Sequence, residues 1–510
     1  MLNAKLKKPL HVVFALAIIL LLVKFYLLSC NAVIANDGPR YINQARQFLD
    51  GHFQAALARD NLFLYPLLIA LFGRMGVDLV LAGELISVVS SILVLFPLYL
   101  LFTKVGNEKV AMWSCVVFAV TPVFNKFSAS VMRDSLFLLV AAVVVFLLWR
   151  SFEARSPWYF FVSAILSLVA TTVRFEGVIF FPAILLLLFI LFFKAGVERG
   201  RLVLCAGSFI APLVLILLLG GLSLGNSSGK TSRLVQAESY LTKVTQGGFF
   251  SHDPLIDKGL TAAQAEIGPL PENDFVQIVR ENVALIYLLG LVRLLVADMW
   301  WPFFLLACYG VLCRRERNFA DTFLLTIIFV FLVVAYLHNV HVNFLDERYL
   351  FVPAMLLSFW AGTGLVGLIG LVEPRLPKWG VYGILLALLA FPVVKSVRAM
   401  SPREALSAKE AGGWLASQSS LRGLSLIANG EKIPFYAGWG DDFIRAEFSR
   451  DFRSEIASRR PDLVTVETRL KNLDDASTFD GYELLARFQD QKYGALIFIN
   501  KNKILEGGFR

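Results

Sequence analysis

Eleven apolar runs of near 20 residues, divided by short polar stretches, constrain this chain more than any other feature. They fall near residues 10–29, 78–103, 110–125, 135–150, 158–173, 177–194, 202–221, 298–313, 319–337, 349–372 and 379–396. About 20 apolar residues in a helix cross a hydrocarbon core of about 30 Å. A backbone in lipid must satisfy its polar groups within the segment, which leaves helices as the form such runs take. Composition agrees: 57% of residues are hydrophobic and only 17% charged, against about 25% charged in soluble domains. The sequence predicts an α-helical polytopic membrane protein with about eleven transmembrane helices.

The net charge of +9 follows the positive-inside pattern. Lys5, Lys7 and Lys8 precede the first span, which places the N-terminus in the cytoplasm and the next loop outside. Arg150 with Arg155, Lys194 with Arg199 and Arg201, Arg314 with Arg315 and Arg317, and Arg375 with Lys378 then fall on the cytoplasmic side. An odd number of spans puts the C-terminus outside. A bacterial inner membrane, with a periplasmic active site, is the expected location. The basic balance carries no nucleic-acid reading, because no basic soluble face accompanies it. The five cysteines lie in or beside apolar runs without metal or disulfide spacing. The first span lacks a small-residue cleavage site, so no cleavable signal is expected.

The polar segments carry the information about function. The first external loop, 30–77, contains N-D-G-P-R-Y-I-N-Q-A-R-Q-F-L-D-G-H-F from Asn36 to Phe53. Tyr41, Ile42, Ala45, Phe48 and Leu49 recur at helical steps, so residues 38–58 read as an external juxtamembrane helix. Residues 61–74 read as a second surface helix or a re-entrant piece. A long external loop is expected over 222–297, within which 280–297 fits either a surface helix or a further span. Its G-N-S-S-G-K-T stretch lacks the spacing of a phosphate loop. Residues 397–510 turn mixed in charge. Apolar runs at 424–428, 462–466 and 495–499 alternate with helix-like stretches at 402–418 and 441–458. This predicts a small external α/β domain after a membrane domain spanning 1–396.

Ionisable residues at the membrane boundary are the candidate chemistry, because their placement there is costly without a role. They are Asp37 with Arg40, Arg133 with Asp134, Arg174 with Glu176, and the run Asp346-Glu347-Arg348-Tyr349. All fall on the external side of the expected topology. Carboxylates offer a base, and arginine forks suit phosphate. Other readings stand beside this one. Arg133–Asp134 and Arg174/Glu176 fit structural ion pairs, Arg348-Tyr349 an interfacial anchor, and Asp37 a helix N-cap. Lys24 fits either snorkelling to the interface or a cation for a buried phosphate. His338 and His341 read as solvated loop residues rather than metal ligands.

Four short motifs carry a family resemblance. Asp37-Gly38, Tyr41, Ala45, Leu49 and Gly51-His52-Phe53, followed by Tyr65-Pro66-Leu67-Leu68, resemble the first external loop of polyprenyl-phosphate-sugar-dependent glycosyltransferases. V-M-R-D-S-L-F-L-L (131–139), T-V-R-F-E-G (172–177) and E-R-Y-L-F-V-P-A (347–354) are similar to later motifs of the same group. That group is the glycosyltransferase C superfold, in the branch of protein O-mannosyltransferases and aminoarabinose transferases. The resemblance implies an enzyme that moves a sugar from a polyprenyl phosphate to an acceptor hydroxyl on a lipid, glycan or protein, with inversion. It implies Asp37 as general base, and Arg348, Arg174, Arg59 and Lys24 as holders of the donor phosphate. Arg40, Tyr41, His52, Tyr65, Asp134, Glu176, Glu347 and Tyr349 would line the substrate. Many members carry paired acids in the first loop, whereas here Asn36 and Gly38 flank a single Asp37. No cofactor is expected beyond the lipid-linked donor, and divalent metal is left open. A transporter or flippase of lipid-linked intermediates, an inactive partner subunit, and a ligase or polymerase with a diphosphate-linked donor are the competing readings.

Overall fold

The protein is described here by a computed structural model. It describes residues 7–29, 31–60, 62–194, 199–224, 282–314, 318–342, 344–400, 406–440, 442–446, 450–473 and 479–507. Most of the long external loop expected over 222–297 lies outside these residues, as does the G-N-S-S-G-K-T stretch.

Among the described residues, eight helices are long and apolar enough to cross a membrane. They are His11–Ser29, Leu79–Val105, Asp134–Ala154, Phe175–Phe193, Arg199–Leu218, Phe319–Val342, Glu347–Val372 and Lys378–Arg398. A ninth candidate is a pair, Val283–Asp298 and Trp301–Cys313, bent by 101° at the break between them. Trp300 sits in the break with φ 61°, a backbone region that bulky residues rarely adopt. Of the stretch 280–297, left open by the sequence, the described residues form most of Val283–Asp298, the first limb of this bent pair. The two remaining expected spans are helical but short: Glu108–Val120 has 13 residues and Pro157–Val173 has 17.

The chain divides into two compact units. The first comprises Met1–Leu20, Ser90–Lys126 and Asp134–Ala399. Its tightest packing depends on glycine. A Cβ on Gly364 would stand 2.0 Å from the carbonyl oxygen of Leu306, and one on Gly310 would stand 2.0 Å from that of Trp360. Helices Trp301–Cys313 and Phe351–Val372 therefore touch backbone to backbone, which small residues permit in membrane interfaces. Gly364→Val is expected to destabilise this unit by about 3 kcal/mol through overpacking. The check is a lower thermal midpoint and a lower monodisperse yield in detergent.

The second unit comprises Leu21–Val89, Phe127–Arg133 and Met400–Arg510. It joins the first loop to the C-terminal domain. In the loop, three helices follow one another: Gly38–Leu49, Phe53–Arg59 and Leu64–Arg74. Tyr41, Ile42, Ala45 and Phe48 are buried as the apolar stripe requires, while Leu49 is exposed. Pro39 pre-sets the first turn. A Cβ on Gly38 would meet the Ile34 side chain at 2.4 Å, so this position needs a glycine.

The C-terminal domain is a five-stranded mixed sheet in the order β2-β1-β3-β5-β4. The strands are β1 (Leu426–Ala428), β2 (Ile444–Arg445), β3 (Leu463–Arg469), β4 (Tyr482–Gln489) and β5 (Tyr493–Asn500). β1 pairs parallel with β2 and β3, while β5 pairs antiparallel with β3 and β4. The apolar runs expected as strands are β1, β3 and β5, which are buried on both faces. The stretch 441–458, expected to be helical, instead opens with the short strand β2 before helix Arg450–Arg459. The expected helix at 402–418 is Leu406–Ser417, with 401–405 outside the described residues.

The domain docks on the loop within this unit. Asn43 Nδ2 donates to the Gly440 carbonyl at 3.0 Å, and the Tyr436 hydroxyl accepts from the Ile34 N–H at 2.7 Å. Lys409 Nζ donates to the Ala32 carbonyl at 2.8 Å, and the Arg46 guanidinium lies 5.6 Å from the Phe435 ring centre. The polar face of helix Gly38–Leu49 is therefore partly an interface with the domain.

Candidate functional site

In the second unit the candidate residues gather around the first loop. Asp37 occupies the N-cap position of helix Gly38–Leu49, but its side chain makes no capping hydrogen bond. The carboxylate at the motif is thus placed by a helix start without serving as that helix's cap.

Asp60, which the sequence reading passed over, is the electrostatic centre of this loop. Its side chain is 3% exposed, and its carboxylate lies 3.7 Å from Arg40 and 3.5 Å from Arg133. Oδ1 also accepts from the Leu62 N–H at 3.1 Å. Gln44 Nε2 donates to the carbonyls of Ala56 and Asp60, both at 2.9 Å, tying the loop helices together. The Arg133 guanidinium stands 5.4 Å from the Tyr41 ring centre, and the Tyr41 and Tyr65 rings meet edge to face at 5.4 Å. The Tyr65 hydroxyl donates to the Gly83 carbonyl at 2.9 Å. Arg133 therefore pairs with Asp60, a partner distant in sequence.

Asp60→Asn leaves two arginines facing a neutral amide. Removing one member of a buried pair costs 3–5 kcal/mol, and the 40% exposure of the Arg40 side chain lets water recover part of that. The expected loss is about 2 kcal/mol, read as a lower unfolding midpoint in detergent.

The other first-loop candidates fare differently. His52 is exposed, at the start of helix Phe53–Arg59. The side chain of Arg59 lies outside the described residues. Lys24 is buried, at 2% exposure.

The first unit carries a second cluster. The Arg174 guanidinium bonds both Asp134 and Glu176, with side-chain exposures of 7%, 2% and 12%. It also stands 5.8 Å from the Phe137 ring centre. Gly177, after Glu176, turns against the preceding helix so closely that a Cβ would lie 2.3 Å from the Thr171 nitrogen. This explains why the corner T-V-R-F-E-G ends in glycine.

Arg348 sits at the start of helix Glu347–Val372, bonded through Nη2 to Asp346 Oδ2 at 3.0 Å. Its N–H donates to Asp346 Oδ1 at 3.1 Å. Burial pushes the Asp346 carboxyl up, but the Arg348 bonds and charge, with Arg174 behind them, hold it below the usual carboxylate range. Glu347 is ion-paired with Lys126.

The Tyr349 ring lies against the His338 ring at 4.6 Å between centres. His338 and His341 are within helix Phe319–Val342, His341 on its last turn, not in a loop as the sequence suggested. Asp298, at the break of the bent pair, is 6% exposed, and its Oδ2 has no hydrogen-bond partner among the described residues. It too was missed, because it closes a strongly apolar helix. Among the described residues no group of three or more His, Cys, Asp or Glu is placed to hold a metal ion.

Comparison with known proteins agrees with this architecture. Residues 61–219 match the family of dolichyl-phosphate-mannose-protein mannosyltransferases. That segment contains Tyr65, Asp134, Arg174 and Glu176, while Asp37 and Arg348 lie outside it. No curated protein matches the chain by sequence.

Among solved structures, the Archaeoglobus fulgidus oligosaccharyltransferase superposes with a TM-score of 0.59 at 13% identity, over 89% of this chain and 68% of that one. ArnT from Cupriavidus metallidurans, solved bound to undecaprenyl phosphate, gives 0.54 at 12% identity, over 95% of this chain and 97% of that one. The mycobacterial arabinofuranosyltransferase AftD gives 0.52 at 12% identity, over 96% of this chain and 41% of that one. Residues 61–219 thus resemble that mannosyltransferase family, and the chain as a whole is an integral-membrane protein that shares the fold of these three structures.

Proposed function

We propose that the protein transfers a sugar from a polyprenyl-phosphate donor to an acceptor hydroxyl at the outer face of a membrane, with inversion at the anomeric carbon. Asp37 takes the proton of the acceptor hydroxyl. The acceptor oxygen bonds to the anomeric carbon, and the bond from that carbon to the phosphate oxygen breaks. Its electron pair leaves with the lipid phosphate. Arg348 is the first cation for that departing charge, with Lys24, Arg59 and Arg174 as further candidates. Preorganised cations at a developing charge are often the largest catalytic contribution. No cofactor enters this scheme.

The observation that carries the reading is the setting of Asp37. It sits on a loop made rigid by Gly38, Pro39, Gln44 and Asp60 and by the docked domain, all of which hold its helix in place. The undecaprenyl phosphate bound by the similarly folded ArnT supports the donor class. The charge pattern of the loops supports the orientation, with cytoplasmic N-terminus and external C-terminus. A bacterial inner membrane fits the short loops.

The test is an assay of the purified full chain in detergent with polyprenyl-phosphate sugars and membrane lipid extract. Release of lipid phosphate, with a product of inverted anomeric configuration by NMR, is the expected result. Donor movement across proteoliposomes without bond cleavage would replace this reading with a transporter.

A further inference from the structure

A cavity of about 240 Å³ lies within the second unit, where the C-terminal domain meets the first loop. Asn36 lines it from the loop, and Ser407, Lys432, Glu467, Arg469 and Tyr493 line it from the domain. Asn36 is joined by a peptide bond to Asp37, so the cavity's loop side is continuous with the proposed base.

The walls are held by a network that does not depend on a ligand. Asp490 accepts from Ser407 Oγ at 3.1 Å and from the Tyr493 N–H at 2.9 Å, which joins helix Leu406–Ser417 to β5. Burial raises the Asp490 carboxyl, but the N–H groups of Lys492, Tyr493 and Ser407 outweigh it and keep it anionic. On the opposite wall, Glu467 and Asn429 exchange two hydrogen bonds, of 2.7 and 2.8 Å. Glu467 Oε1 also accepts from the Ile433 N–H at 3.1 Å. Gly430 lets the backbone close on that carboxyl, since a Cβ there would lie 2.6 Å from it.

Size and chemistry narrow the occupant. Drug-sized ligands take cavities of about 300–1,000 Å³, so this one suits a single sugar ring. Its lining mixes amide, hydroxyl, ammonium, guanidinium and carboxyl groups with one aromatic ring. Hydroxyl-rich rings need both donors and acceptors, and they lay an apolar face on an aromatic side chain. Lys432 is buried and Glu467 half-buried, and burial raises the Glu467 carboxyl while the Ile433 N–H and the Lys432 charge pull it back. The exposed Arg469 adds a second cation to the lining.

We propose that this cavity binds an anionic sugar unit of the acceptor, a sugar carboxylate or a sugar phosphate, and so presents the acceptor to the first loop. The proposal rests on the reading of the chain as a transferase to an acceptor hydroxyl.

It is tested by titrating the full chain in detergent with methyl glucuronoside, glucose 6-phosphate and methyl glucoside, read by saturation-transfer NMR. Saturable binding of an anionic probe is expected, with the neutral glucoside about tenfold weaker, the effect of one charge-assisted contact. Whichever anion binds more tightly identifies a carboxylate or a phosphate as the natural charge. Arg469→Gln should abolish the preference without moving the unfolding midpoint. Tyr493→Leu should weaken all three sugars about tenfold by loss of the ring's contact area.

Absence of saturable binding by every probe, or binding that neither variant changes, would overturn the proposal. Binding at this cavity without donor cleavage would keep the site and remove the transferase reading. Donor cleavage without sugar binding would do the reverse.

Discussion

Asp37→Asn is expected to lower transfer about a thousandfold while expression and thermal unfolding stay at wild-type values. A positioned general base contributes roughly 10²–10⁴-fold, and the amide keeps the shape of the carboxylate but cannot take the proton. The half-buried side chain makes no capping bond to helix Gly38–Leu49, so the helix start should survive the change. The contacts that hold this loop come from Asp60, Gln44 and Asn43 rather than from capping by Asp37. The measurement is kcat with a polyprenyl-phosphate sugar, together with donor binding by the inactive variant. Near-wild-type kcat would remove Asp37 from the mechanism. Lost kcat with retained donor binding would place its effect on the chemical step.

Arg174→Met is expected to be the most destabilising single change outside the helix-packing glycines. Arg174 bonds both Asp134 and Glu176, and all three side chains are largely buried. Truncating it removes the guanidinium that both carboxylates share, and breaking a buried ion pair by losing one member costs about 3–5 kcal/mol. Thermal unfolding in detergent should drop accordingly, and transfer should fall with it. The triple variant Arg174→Met, Asp134→Asn, Glu176→Gln separates stability from function, because it removes the charges together. Replacing a complete buried ion network by neutral groups is often tolerated. If the triple variant folds and still fails to transfer, the network serves the substrate. If it folds and transfers, Arg174 is a structural residue, and the phosphate-holding role passes to Arg348.

Legibility followed the range of the forces involved. Helices in the membrane unit were readable because the signal is local: a run of apolar residues of the right length. Pro157–Val173 matches its expected run, whereas the expected 110–125 helix stops at Val120 because Thr121 turns extended ahead of Pro122, a break that hydropathy does not register. In the C-terminal domain, β1, β3 and β5 announced themselves as buried apolar runs. β4 did not, because it is an edge strand with largely exposed side chains whose partner is set by register with β5. The helix end carrying His338 and His341 reads as loop in the sequence, since a helix that continues past its apolar stretch gives no hydropathy signal.

The candidate site divides in the same way. Asp37, Arg174, Glu176 and Arg348 stand out by sequence because ionisable residues beside apolar spans are conspicuous one at a time. Their partners are not conspicuous. Arg133 and Asp134 are chain neighbours and invite pairing, yet adjacent side chains point in different directions, so Arg133 pairs with Asp60 and Asp134 with Arg174. Asp60 looked like an ordinary loop acid until the fold set two arginines around it. By itself, then, the sequence determined that this is a helical membrane protein with an acidic motif in its first loop and a small mixed α/β tail, because composition and periodicity act within a few turns of chain. Only the tertiary structure decided which charges neutralise which, and that the tail docks on the motif-bearing loop and encloses a cavity there, because ion pairing and cavity walls join residues hundreds of positions apart.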